Sequence, residues 1–447
     1  MTQTSLAQTG DSANPIALAR SSVVVLALRL AEVVLMYLLQ IFLARWMGTT
    51  QYGIYDYVMT WALLLAVPTS LGLPRAVVRF INEYREQKKW GLLRGLILGS
   101  WYLTIGMGLL IGLLGTGAIF LINYYHHFDY TSVLLIGIWL VPLQGLVLLQ
   151  EDIARGTENL FLAYTPTKVI WPILVILGGF LFWHDRHFLN GISTIWIALG
   201  TLGTVIVIQA GWIWLKFNRE VTPAAPVYTP FAWLNVSLPL LLYRTFREIL
   251  LQTDTLMLGA FIGPSAVGLY SPASKTAFWV SFVLISTNLV VAPAFVVLNV
   301  RGDRAELQKL ISTVTLWIFW SSSAIALVLF IFAKPILGIF GAEFIQAHWS
   351  LKILIIGQLV NALSGAVGNL LAMTGYQNQL MLVSSVTALI NLVLNAIAIP
   401  LWGIVGAALT TTLTLSIWNV WLVVVVMRNL EVNPTVFSTF LKQSTEK

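Results

Sequence analysis

The sequence predicts an all-α integral membrane protein with about twelve transmembrane helices in two pseudo-symmetric six-helix bundles. Three observations predict it. Of the 447 residues, 58% are hydrophobic and only 10% charged, whereas a soluble domain carries about a quarter charged residues to solvate its surface. Apolar runs of about 20 residues, the length that crosses a hydrocarbon core, recur along the whole chain. The two halves also share a motif and several charges at one constant offset.

Reading the apolar runs in order places spans at 22–46, 53–74, 94–121, 131–154, 163–183 and 192–216, then at 236–261, 267–297, 308–333, 350–373, 380–400 and 404–427. The loops between them are short and leave no room for a separate soluble domain. The polar first fifteen residues pass through Pro15 and Arg20 into the first span without a small-residue cleavage site, which predicts an N-terminus that stays in the cytoplasm. With no cysteine, the chain has no disulfide, thiolate metal site or cysteine nucleophile.

The net charge of +7 is first a statement about orientation, because Lys and Arg beside spans collect on the cytoplasmic face. With both termini inside, seventeen basic residues fall on the inner side, including a predicted loop from Arg75 to Lys89, and four on the outer side: Arg45, Arg186, Lys334 and Lys352. This distribution calls for an even number of spans and gives no reason to expect a nucleic-acid partner.

The one stretch that reads as an interdomain linker is "NREVTPAAPVYTPF", residues 218–231, whose prolines cannot continue a helix. It divides an N-terminal bundle (1–217) from a C-terminal bundle with a short cytoplasmic tail (232–447). Across it, "GTTQYGIY" (Gly48 to Tyr55) aligns with "GPSAVGLY" (Gly263 to Tyr270), both reading G-x-x-x-x-G-x-Y in the turn after the first span of each half. The same offset of 215 residues sets Arg29 on Arg244, Glu32 on Arg247 and Arg94 on Lys309. A looser match joins "LLQEDIARG" ending at Gly156 with "GNLLAMTG" ending at Gly375. Repeats with an even number of spans are related by an axis along the membrane normal and usually hold cargo between them.

Ionised groups inside a span cost roughly 2.5–3.5 kcal/mol each even on the gentlest insertion scale, so those present call for an explanation. Arg29, Glu32, Met36 and Gln40 form one helical stripe, and Arg244, Arg247, Glu248, Leu251 and Asp254 form its counterpart. Intrahelical pairing of Arg29 with Glu32 and of Arg244 with Glu248 is one reading. A water-filled cavity lined by both stripes is the other, and it also explains Arg247 and the common depth. In that cavity Arg29, Arg244 and Arg247 are the candidate ligands of a diphosphate, since a guanidinium donates two parallel hydrogen bonds to phosphate oxygens. Glu32 and Glu248 would hold them when the site is empty. Asp254 and Lys275 lie at similar depth and are read as a gate salt bridge or as a coupling carboxylate with its cation.

Polar residues Gln358, Asn361, Gly365 and Asn369 on the tenth span, and Asn391 with Asn395 on the eleventh, are read first as helix–helix glue and second as sugar contacts. Tryptophans at span ends (Trp46, Trp90, Trp183, Trp233, Trp349, Trp402) are read as interfacial anchors. His184-x-x-His187 lacks a third ligand for a metal. No Walker lysine, HExxH or GxSxG pattern occurs, so neither a cofactor nor a catalytic residue is expected, and the chain is read as a non-enzyme.

The segments "LARWMGTTQYGIYDYVMTWALLLAVPTSLGLPRAVVRF" and "LGAFIGPSAVGLYSPASKTAF" resemble the polysaccharide-export branch of the multidrug/oligosaccharidyl-lipid/polysaccharide exporter superfamily, the Wzx-type O-antigen flippases. The resemblance covers nearly the whole chain. It implies alternating-access transfer of an undecaprenyl-diphosphate-linked oligosaccharide, an O-antigen or exopolysaccharide repeat unit, across a bacterial cytoplasmic membrane. It further implies contact with membrane lipids, a coupling proton or Na+, and polysaccharide polymerase or glycosyltransferase partners. A drug/cation antiporter of the same superfamily is the main alternative, and it would call for an acidic cavity. A membrane glycan-pathway enzyme is a further alternative, weakened by the lack of a long extramembrane loop.

Overall fold

The computed structural model describes residues 15–125 and 130–436, and among these no β-strand occurs. Inside the helices, the side chains of Arg29 and Arg247 lie outside the described set. The N-terminal half comprises α1 (Pro15–Thr69), α2 (Leu73–Glu86), α3 (Trp90–Tyr125), α4 (Thr131–Gly137), α5 (Leu140–Gly156), α6 (Leu160–Tyr164), a π-helical turn (Thr165–Ile170), α7 (Trp171–Arg186) and α8 (Gly191–Glu220). The C-terminal half comprises α9 (Pro230–Phe261), α10 (Pro264–Ala277), α11 (Trp279–Arg301), α12 (Arg304–Ile331), α13 (Ala333–Gly338), a 3-10 turn (Ala342–Ala347), α14 (His348–Ser364), α15 (Val367–Met373) and α16 (Gln377–Leu430).

Seven helices among the described residues are long and apolar enough to cross a membrane, or nine if each of two bent pairs is one span. Two of the seven are too long to be single spans. The 40 residues from Leu30 to Thr69 and the 54 of α16 would stretch about 60 and 80 Å at 1.5 Å per residue, against a hydrocarbon core of about 30 Å. Each is broken by a glycine outside helical geometry: Gly48 at φ 72°, ψ 176° in α1 and Gly403 at φ 58°, ψ −134° in α16. A side chain disfavours such backbone, so glycine marks where the chain turns back.

The predicted basic loop from Arg75 to Lys89 is instead mostly helical, as α2. Leu73, Val77, Phe80, Ile81 and Tyr84 recur at helical spacing and are buried, while Arg75, Arg79 and Arg85 are exposed. Charge density made this segment look like a loop, but the apolar period within it builds a helix packed on α3 and α5.

Between Glu220 and Pro230 the chain has no helix. It crosses the start of α3, where Val227 N donates to Gly91 O at 2.9 Å. Trp233, expected at a membrane interface, is buried and packs its ring on Gly99.

The halves meet mainly where α1 crosses α10. This crossing is made by the second glycine of each repeated motif. A Cβ on Gly53 would stand 1.8 Å from Pro264 O, and one on Gly268 would stand 2.0 Å from Thr49 O. The contact is reciprocal, because Thr49 and Pro264 each follow the first glycine of their own motif. The repeat seen in the sequence is therefore the joint of the molecule. Around it Tyr37 Oη and Thr276 Oγ1 are 2.9 Å apart, and Thr49 Oγ1 donates to Glu343 Oε2 at 3.0 Å.

Candidate functional site

Away from that joint, charged side chains from both halves converge. Glu32 on α1, expected to balance the arginines, has Lys168 as a partner: Lys168 Nζ stands 3.4 Å from Glu32 Oε1 and 3.8 Å from Glu151 Oε2. Next to Glu151, Asp152 Oδ1 accepts from Arg155 Nη1 at 2.6 Å. Arg244, half-buried on α9, lies close enough to this group for its charge to be influenced by Asp152, Arg75, Glu248 and Glu151. The expected pairing of Arg244 with Glu248 is not made among the described residues. Glu248 Oε1 instead accepts from Gln252 Nε2 at 3.0 Å, one turn along the same helix.

The site therefore includes Arg75, Glu151, Asp152 and Lys168, which sequence reasoning counted as loop charges or as a repeat marker. Their signal was present in "QEDIAR", where two consecutive carboxylates end an apolar run, and in "TPTKV", where a lysine lies two residues after a proline. Lys168 lies in the π-helical turn Thr165–Ile170. A π-turn inserts an extra residue into the helix and re-aims its side chains, and such turns are frequent at functional sites.

Asp254 and Lys275 do not pair. Lys275 Nζ lies 2.5 Å from Asp56 Oδ1, on the other half of the molecule. Asp254 is buried among Tyr270, whose Oη donates to it at 2.8 Å, Asn395, whose Nδ2 donates at 2.9 Å, and Thr411, whose hydroxyl also donates. The two side chains leave their helices toward different neighbours. Lys275 leaves α10 toward α1, whereas Asp254 leaves α9 toward α16.

The amide residues of the tenth and eleventh spans converge in the C-terminal half. Gln358, Asn361, Asn369 and Asn391, with Ser281 and Trp418, line a cavity of about 530 Å³ between α9, α11, α14, α15 and α16. None of Arg244, Glu248, Asp254 or Lys275 lines it. Of the predicted histidine pair, His184 stacks on Phe180 and His187 meets Trp183 edge-on. Among the described residues no cluster of three metal-ligating side chains occurs.

Comparison with known proteins fits this architecture. Residues 18–299 match the family described as polysaccharide biosynthesis protein, and residues 239–397 match the MatE family. The chain belongs to the polysaccharide biosynthesis protein family. Its curated relatives include an uncharacterised membrane protein of Methanocaldococcus jannaschii, 22% identical over 84% of this chain and 77% of the relative. They also include the probable low-salt glycan biosynthesis flippase Agl15 of Haloferax volcanii, 24% identical over 90% of this chain and 81% of the relative. Among solved structures, an inward-facing multidrug resistance MATE transporter of the MOP superfamily superposes with TM-score 0.73 at 11% identity, covering 92% of this chain and 98% of that one. The lipid II flippase MurJ superposes with TM-score 0.71 at 17% identity, covering 90% and 87%. This member of the polysaccharide biosynthesis protein family is thus a multi-pass membrane protein with the MOP transporter fold.

Proposed function

We propose that the chain is a flippase that carries a polyprenyl-diphosphate-linked oligosaccharide, undecaprenyl-linked in a bacterial host, from the inner to the outer leaflet of the cytoplasmic membrane by alternating access. The observation that carries this reading is the position of Arg244, on the C-terminal half but within the field of Arg75, Glu151 and Asp152 on the N-terminal half. A cation of one bundle that lies near carboxylates of the other, with no ion pair among the described residues to fix it, is placed to take a phosphate as its partner. Arg247, on α9 with Arg244, and Arg29, on α1 with Glu32, complete the proposed diphosphate cradle. The relationship to a probable glycan biosynthesis flippase and the family's connection with polysaccharide synthesis support the cargo class.

On this reading twelve spans form two six-helix bundles, 1–217 and 232–447, joined by the cytoplasmic segment 218–231, with both termini inside. The chain performs no covalent chemistry and acts on membrane lipid beside the polymerase or glycosyltransferases of its pathway. The Asp56–Lys275 pair gates the glycine-turn end, and Asp254 is the coupling group for a proton or Na+. Asn395 Oδ1, buried beside Asp254 without a hydrogen-bond partner, suits a cation there.

The test is surface glycan in a flippase-deficient strain, measured beside membrane abundance. An Arg244→Gln, Arg247→Gln double variant is expected to reach normal abundance and lose export. Full export at normal abundance overturns the arginine cradle.

A further inference from the structure

We infer that the amide-lined cavity of the C-terminal half is a binding site for the uncharged saccharide of the cargo, separate from the charged cluster that meets the diphosphate. The inference rests on the flippase reading and adds where the sugar sits.

The wall chemistry favours a sugar over a lipid tail. Asn361 Nδ2 donates to Ser281 Oγ at 3.3 Å, and Ser281 Oγ donates to Gln358 Oε1. Asn369 Nδ2 donates to the backbone oxygen of Asn288 at 3.2 Å. These bonds fix each amide by one end, so that Gln358 keeps its donors, and Asn361 and Asn369 their acceptors, for an occupant. Asn288 Oδ1 is buried with no partner at all. A sugar hydroxyl both donates and accepts, so it satisfies both kinds of free end, whereas an isoprenoid leaves them unpaired.

The remaining wall is apolar and aromatic, as a ring with hydrophobic faces requires. Trp418 is fixed by its indole N–H on Ser384 Oγ at 3.1 Å and by packing on Gly368. The volume of about 530 Å³ lies within the range of about 300–1,000 Å³ usual for small-molecule sites. Among the described residues the lining holds no carboxylate, lysine or arginine, so the wall they form suits a neutral group better than an organic cation.

The repeat gives an internal control. The positions 215 residues before Ser281 and Asn288 are Ala66 and Leu73, both buried apolar core residues. At these two positions the N-terminal half holds hydrocarbon where the C-terminal half holds polar side chains.

Binding of two probes to the full-length purified chain tests the inference: undecaprenyl diphosphate, and the same lipid carrying one N-acetylglucosamine. Wild type is expected to bind the sugar-bearing lipid at least about tenfold tighter, the equivalent of about 1.4 kcal/mol. An Asn361→Leu, Asn369→Leu variant is expected to remove that preference and leave the affinity for undecaprenyl diphosphate unchanged. Ser385→Trp, which fills the cavity without cutting the amide network, is expected to do the same, so the outcome does not depend on one variant folding well. Equal affinity of wild type for the two lipids overturns the sugar site and leaves the flippase reading standing. Equal weakening of both lipids by Ser385→Trp also overturns it and points to the lipid tail as occupant. Failure of wild type to bind either lipid removes the flippase reading and the sugar site with it.

Discussion

Lys275 Nζ lies 2.5 Å from Asp56 Oδ1 and ties α10 of one half to α1 of the other. Asp56 is almost fully buried and Lys275 about one-third exposed, so the pair is neither a surface contact nor wholly desolvated. Beside it the backbones of Gly53 and Gly268 touch. The halves are tied here by this charge pair, by the backbone contact, by the Tyr37–Thr276 and Thr49–Glu343 hydrogen bonds and by apolar packing of Tyr52 with Phe344.

Removing one partner of that pair should cost more than removing both. Breaking a buried pair from one side costs about 3–5 kcal/mol because a charge is left uncompensated, whereas replacing both partners is often neutral. With Lys275 partly wetted, a smaller value is expected, about 1–3 kcal/mol. Lys275→Met should lower the melting temperature in detergent, and the Asp56→Asn, Lys275→Met double variant should recover most of the loss. Equal melting of single and double variants would show the charges to be uncoupled.

Gly53→Ala and Gly106→Ala should have opposite outcomes, although the chemical change is the same. A methyl on Gly53 meets a backbone oxygen of Pro264 at 1.8 Å, while one on Gly106 meets nothing within 4 Å. Gly53→Ala should part the halves and reduce both folded yield and transport. Gly106→Ala, on a helix where alanine is favoured by about 1 kcal/mol over glycine, should raise the melting temperature slightly or leave it unchanged. Normal behaviour of Gly53→Ala would rule out the close crossing.

Lys168→Met should reduce membrane abundance, because it removes the cation that serves both Glu32 and Glu151. Lys168→Arg keeps the charge and should keep abundance. Quantifying both variants by immunoblot of purified membranes separates this structural role from that of Arg244. There Arg→Lys and then Arg→Gln should lower glycan export stepwise at constant abundance, each lost charge-assisted hydrogen bond costing about 1.5–3 kcal/mol of cargo binding.

Single cysteines in this cysteine-free chain should report the topology. Lys88→Cys, exposed after α2, should label only from the cytoplasmic side, and Ser265→Cys, exposed in the second glycine turn, only from outside. Labelling of Lys88→Cys in intact cells by an impermeant reagent would invert the orientation.

The helical, membrane-spanning class was determined by the sequence itself, because apolar runs of spanning length are a local property that needs no tertiary contact. The glycine motifs at Gly48 and Gly263 were equally legible, since close backbone approach and positive φ both select for glycine wherever they occur. Their meeting point was not legible. That Gly53 and Gly268 seat against each other's helices follows only from the folding of two distant segments together. Pairing between charges was also left to the tertiary structure. Residue spacing gives depth along a helix, but the partner depends on which neighbour the side chain faces. So Lys275 reaches Asp56 and not Asp254, and Lys168 reaches Glu32 from a π-turn that no periodicity announced. The amides at Gln358, Asn361, Asn369 and Asn391 made a visible polar stripe, yet glue and cavity wall share one composition. What separates them is whether a neighbouring helix fills the space in front, and that space exists only in the packed fold.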